Sequence, residues 1–184
     1  CALDSAAVDS LHEAQSHPPQ ACMPDYLPTN GLSGWWPFCG NANDLSPNEN
    51  DGAVFGPSLT TGRNGEADGA YMFDGVDDHI LLNADSAFVF EADGSFTWNV
   101  WFKAGPPEAA KMNLINKYAC PYGPSPIPDL ASDVIRMSIV DGDTLLIENR
   151  RGSQNPDLGS NPVKAFIDTS GFVMATYVKE ASDT

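Results

Sequence analysis

Short apolar runs alternate along most of this chain with polar, turn-forming loops, and one run has a clear period of two. Phe96, Trp98, Val100 and Phe102 alternate with Thr97, Asn99, Trp101 and Lys103, the pattern of a strand with one face on a core. Trp101, on the second face, indicates that this face is covered too. Upstream, the apolar runs are Leu32 to Phe38, Ala53 to Phe55, Tyr71 to Phe73 and His79 to Leu82. Downstream, Met112 to Tyr118, Val134 to Val140, Thr144 to Asn149, Ala165 to Asp168 and Phe172 to Val178 read as further strands. Val134 to Val140 and Thr144 to Asn149 predict a hairpin across Asp141-Gly142-Asp143. The connections are built of Gly, Asn, Asp, Pro and Ser, which supply positive φ and Asx turns. Asp74-Gly75 predicts a turn between Tyr71–Phe73 and His79–Leu82. Ala119 to Ser132 and Arg150 to Pro162 read as loops.

Many short strands with frequent turns predict an all-β protein, a sandwich or jelly roll. No internal repeat and no second domain is visible. Trp35, Trp36, Trp98 and Trp101 are expected to anchor the core, each ring burying a large area. Residues 1–28 differ. Leu3, Ala7, Leu11 and Ala14 form a weak helical stripe, with Ser10 and Glu13 at capping-box spacing inside it. His17-Pro18-Pro19-Gln20 then breaks any helix. This segment reads as an N-terminal arm or linker.

Composition sharpens the class. Sixteen glycines and fifteen prolines among 184 residues suit a turn-rich β protein. Apolar content of 42% is that of a folded domain. The formal charge is −16, from 25 acidic and 9 basic residues. Nucleic acid is excluded as a natural partner, because such a surface repels phosphates, and anionic membranes are disfavoured likewise. No run approaches the roughly 20 apolar residues of a membrane helix. Cys1, Cys22, Cys39 and Cys120 match no zinc spacing. Disulfides in an oxidising compartment are the expectation, with three pairings open.

One loop carries candidate chemistry. Asn41 to Asp51, NANDLSPNEND, is crowded with side-chain oxygens, and calcium takes six to eight oxygen ligands in flexible geometry. Calcium is the expected cofactor, with Asp51 and other oxygens of this loop as candidate metal ligands.

GLSGWWPFCGNANDLSPNENDGAV, followed by AYMFDGVDDHILL, resembles the opening of the laminin-G-like, concanavalin A-like jelly-roll modules of secreted and cell-surface proteins. Ser95 to Lys103 is similar to that family's central strand, and Gly171 to Tyr177 continues the likeness. The resemblance runs from about Leu27 to the end of the chain. It implies a jelly-roll β-sandwich of two antiparallel sheets over residues 29–184. It also implies Asp44 and Asn48 as calcium ligands. Pro47 stands where the family has glycine, with φ locked near −65°. In the family, a strand like Gly171 to Val178 is followed by another hairpin and a closing strand, so a sandwich incomplete at its C-terminal side is expected. The implied setting is extracellular or cell-surface.

Signals for catalysis are sparse. Glycosidases of this fold use Glu-x-Asp-x-Glu on one strand face, and that triplet does not occur. His12 and His17 are five apart, so they do not share a helix face as a zinc-protease pair would. Gly-x-Ser-x-Gly and phosphate-binding glycine loops do not occur. His79 reads as a structural strand residue. Arg150 and Arg151 form the only adjacent basic pair and could meet a carboxylate. The expected function is therefore non-catalytic: adhesion, or a structural subunit that meets protein partners or neighbouring subunits of an assembly. A lectin-like glycan-binding module is the alternative, and a glycoside hydrolase of the same fold the remote one.

Overall fold

The computed structural model describes residues 4–9, 27, 29–82, 88, 95–105, 111–118, 134–150 and 163–180. Among the described residues ten strands follow in order: β1 (Gly52–Phe55), β2 (Ser58–Thr60), β3 (Ala70–Met72), β4 (His79–Leu82), β5 (Phe96–Phe102), β6 (Lys111–Tyr118), β7 (Val134–Val140), β8 (Thr144–Arg150), β9 (Val163–Phe166) and β10 (Val173–Lys179). The all-β class expected from many short strands with frequent turns is what the described chain adopts. The helix in the described part is a single turn at residues 5–9. Asp4 starts it: its carboxylate accepts the Ala7 N–H at 2.7 Å, and its carbonyl accepts the Val8 N–H. Ser10 and Glu13 lie outside the described residues. Among the described residues, no helix is long and apolar enough to cross a membrane.

The chain divides into two compact units, Cys1–Trp98 with Val178–Thr184, and Asn99–Tyr177. The division falls inside β5 and inside β10, which pair with each other.

In the first unit, β1 pairs antiparallel with β4 and β2 antiparallel with β3. The Asp74-Gly75 turn was expected to close a hairpin. It instead carries the chain from one ladder to the other, because β3 and β4 pair with different strands. Leu32 to Phe38 was expected to be a strand and forms none. Its backbone groups bond to the loop that follows: Leu45 N–H donates to Trp35 C=O at 2.8 Å, and the carbonyls of Leu32 and Ser33 accept from Asn48 Nδ2. Side chains have taken the place of a ladder. Gly34 is needed here, since a Cβ would sit 2.1 Å from the Trp36 ring.

In the second unit, β6, β7, β8 and β9 form an antiparallel meander. The β7–β8 hairpin turns at Asp141-Gly142-Asp143 as the sequence indicates. Asp141 and Gly142 both have positive φ, at 53° and 80°. The registers Met112↔Ile139, Met137↔Ile147, Ile139↔Leu145, Leu145↔Ala165 and Ile147↔Val163 put one apolar row across the sheet. A register shift between Asn113 and Ile115 lets both Leu114 and Ile115 pack on that row. Phe102 and Ala175 close the cluster with Met137, Ile139, Leu145 and Ile147. Met137 and Ile139 are fully buried. Burying such side chains contributes about 1.5–3 kcal/mol each. The row does not stop at β8. Val163 continues it on β9 and is 57% exposed.

Candidate functional site

The Asn41–Asp51 loop is organised by one carboxylate. Asp44 is 4% exposed. Its Oδ1 accepts the N–H groups of Trp35 and Ser46, both at 2.8 Å. Its Oδ2 accepts the Ser46 hydroxyl and the Asn50 N–H, both at 2.9 Å. An ionised carboxylate has about four lone-pair sites, and these donors fill them. Burial pushes the Asp44 carboxyl up. The bonds from Trp35, Ser46 and Asn50 outweigh it and hold the group below its usual range.

The surrounding groups lock the same arrangement. Asp44 N–H donates to Asp51 Oδ1 at 2.9 Å, and Gly52 N–H to Ala42 C=O at 2.8 Å. Trp36 Nε1 donates to Asn50 C=O at 3.0 Å. Asn48 Nδ2 reaches back to Leu32 and Ser33, joined by Asn50 Nδ2 at 3.4 Å from Ser33 C=O. The loop is thus a polar clamp on the 32–36 segment.

The three residues expected as metal ligands are therefore in one loop but not in one ligand set. Asp44 points both oxygens at hydrogen-bond donors. Asn48 uses its amide nitrogen on backbone carbonyls and is exposed, and Asp51 caps the Asp44 N–H. A cation at Asp44 would face N–H and O–H groups, whose hydrogens repel it. As folded, this loop does not fit calcium.

Carboxylates converge elsewhere. Among the described residues, the group of acidic side chains able to close on one ion is Asp74, Asp77 and Asp78, with ligand atoms within 4.8 Å of one another. They form the turn between β3 and β4. Asp74 N–H donates to Asp78 Oδ2, and Val76 N–H to Asp74 Oδ1, both at 2.8 Å. Asp74 and Asp77 are exposed and Asp78 half-buried. His79 next to them stacks on Phe55 at 4.9 Å and contacts Asp77 C=O through Nδ1. That is a structural role, as the sequence suggested.

Sequence reasoning missed one polar pair. Arg136 on β7 and Glu148 on β8 are register partners, and the Arg136 Nε and Nη2 groups both donate to Glu148 Oε2. Glu148 is 5% exposed. Ser138, two residues along the same face, is fully buried, and its hydroxyl has no partner among the described residues. The signal was present: positions 136 and 148 are equidistant from Gly142, the centre of the expected hairpin. Glu148 is committed to the guanidinium, and the register neighbours of Ser138 are Asn113 and Leu146. No base faces that hydroxyl among the described residues.

The tryptophans expected in the core are half-buried, none of them exposed. Cys39 is disulfide-bonded, in keeping with an oxidised chain. Cys1, Cys22, Cys120 and Arg151 lie outside the described residues, as does the Arg150 side chain. Compared with known proteins, the chain matches no family model, no curated protein and no solved structure.

Proposed function

We propose that this chain is a non-catalytic, laminin-G-like jelly-roll module of an extracellular or cell-surface protein, working in adhesion or as a structural subunit. One observation carries the reading: large apolar side chains stand in solvent on the strands and their turns. Phe55, Met72, Phe73, Val76 and Leu81 in the first unit, and Val163 and Phe166 in the second, are each 47% exposed or more. Scattered apolar residues are ordinary on a surface, but strand-borne groups of them mark places where another molecule sits. The half-buried tryptophans do not offer the open stacking faces that glycan recognition uses, so a protein partner is favoured over a sugar. The Asp44 carboxylate, filled by its four donors, is not a free group of the kind that glycoside hydrolysis uses. Calcium, expected at Asp44, Asn48 and Asp51, is better accommodated at Asp74, Asp77 and Asp78, whose remaining oxygens accept from no donor among the described residues.

Sedimentation of the purified chain, a glycan array and a glycosidase substrate panel test the reading together. It expects association with protein and no turnover. Turnover of any glycoside, or a chain that neither self-associates nor captures a protein or glycan, sinks it.

A further inference from the structure

We propose that the outer edge of β9 is where two copies of this chain join, antiparallel about a two-fold axis at Phe166. This rests on the assembly reading above and names its partner as a second copy.

Among the described residues, β9 is the last strand of its sheet and pairs only with β8. All four of its residues are exposed, Phe166 at 87%. Natural edges are usually blunted by charge, proline or cover. On β9 the single charge is Lys164, between Val163 and Ala165.

The backbone phase is fixed. Ile167 N–H turns inward to Asp143 C=O at 2.9 Å. In an antiparallel ladder, alternate residues point their N–H and C=O the same way. Lys164 and Phe166 therefore present theirs outward, to whatever pairs next.

The side chains then select the register. A two-fold axis normal to the sheet pairs residues whose numbers sum to twice the central one. Centred on Lys164, it sets ammonium opposite ammonium, which is destabilising. Centred on Ala165, it puts Lys164 across from Phe166 and gives Lys164 no anion directly opposite. Centred on Phe166, it faces phenyl with phenyl and places Lys164 of each copy across from Asp168 of the other. The Ser170 N–H donates to Asp168 Oδ1 at 2.8 Å and holds that carboxylate in place. Ala165 lies opposite Ile167 on the other face, which extends the apolar row that runs off β8. Aromatic and opposite-charge pairs are the cross-strand combinations that stabilise sheets. The motif Lys-x-Phe-x-Asp is thus self-complementary in a single register, which is why a second copy fits this edge.

The contact is small. Five residues a side fall well below a standard interface of about 800 Å² per partner, so the dimer is weak and reversible. The formal charge of −16 on each copy opposes it. Exposed ion pairs contribute little, so screening this global repulsion is the dominant effect of salt. Association strengthens between about 20 and 200 mM salt.

Sedimentation equilibrium on the 184-residue chain tests this. A closed monomer–dimer equilibrium without higher species is expected, since an isologous contact closes on itself. Phe166→Lys weakens it about tenfold or more, the loss expected when a central aromatic is removed. Lys164→Asp and Asp168→Lys each weaken it, and the double swap recovers most of the loss. Unchanged far-UV dichroism shows that the variants stay folded. A chain that is monomeric at every salt concentration overturns the proposal and leaves a strand of another protein as the occupant. A double swap no better than its parents also overturns it. Dimers that survive Phe166→Lys place assembly on another surface: the β9 pairing fails while the assembly reading stands.

Discussion

Replacing Asp44 by Asn removes one charge and almost no volume, so its cost reports the polar clamp alone. The magnitude follows from the donors. Asn offers one oxygen and one NH2. If the oxygen takes the Oδ1 position, it still accepts from Trp35 and Ser46. The NH2 then faces the Ser46 hydroxyl and the Asn50 N–H. The hydroxyl can rotate and accept. The Asn50 N–H cannot, and a buried unpaired donor costs about 1–3 kcal/mol. The two remaining bonds also lose their charge assistance, which roughly halves them. The opposite flip strands two backbone N–H groups and is worse. The expected loss is about 2–4 kcal/mol. Asp44→Ala strands all four donors, and its loss is capped by the free energy at which the loop opens and lets water reach them.

Urea unfolding followed by tryptophan emission measures the total, since Trp35 and Trp36 sit in the clamp. Amide exchange at Trp35, Ser46 and Asn50 measures the local opening. The pH dependence has a fixed sign. A carboxyl whose folded pKa is depressed adds stability above its unfolded value, about 3.9, and loses it as pH falls through the folded pKa. The gap between wild type and Asp44→Asn is therefore constant from neutral pH down to about pH 5 and closes below pH 4. An Asn variant within about 0.5 kcal/mol of wild type at pH 7, or a gap that widens in acid, refutes the clamp.

Three further outcomes follow from the same structure. Calcium titration moves no amide resonance between Asn41 and Asp51, because the Asp44 oxygens are filled; shifts confined to that loop would contradict the saturation argument. Glu148→Ala leaves the half-buried Arg136 without its partner and costs about 1.5–3 kcal/mol, whereas the apolar pair Arg136→Met with Glu148→Leu is near neutral; a denaturant double-mutant cycle separates the two, and an additive cycle defeats the reasoning. Gly34→Ala drives a methyl into the Trp36 ring and costs about 1–3 kcal/mol by overpacking, read as a lower urea midpoint.

The second unit was legible because its determinants are local. Period-two runs name strand faces, and Asp141-Gly142-Asp143 fixes the β7–β8 register to the residue. From that register alone, Arg136 and Glu148 must meet. The first unit was less legible because its determinants are not periodic. Leu32 to Phe38 has the composition of a strand, but its partners are the side chains of Asp44, Asn48 and Asn50, whose choice depends on how a Gly- and Asn-rich loop folds back. β2 sits in a Pro-Ser-Leu-Thr-Thr-Gly stretch with too few apolar residues to signal a strand, and only its pairing with β3 makes it one.

The same oxygen-rich composition read as a calcium loop also describes a carboxylate that binds backbone N–H groups, and sequence does not distinguish the two. What separates them is where the lone pairs point. A metal loop must keep several oxygens free of donors at once. In the Asn41–Asp51 loop the N–H groups of Trp35, Ser46 and Asn50 face Asp44 instead. Three backbone N–H groups and a hydroxyl satisfy the buried charge internally, the task a divalent cation performs in an oxygen cage. Protonation of Asp44 removes that internal satisfaction, which ties the loop's stability to pH.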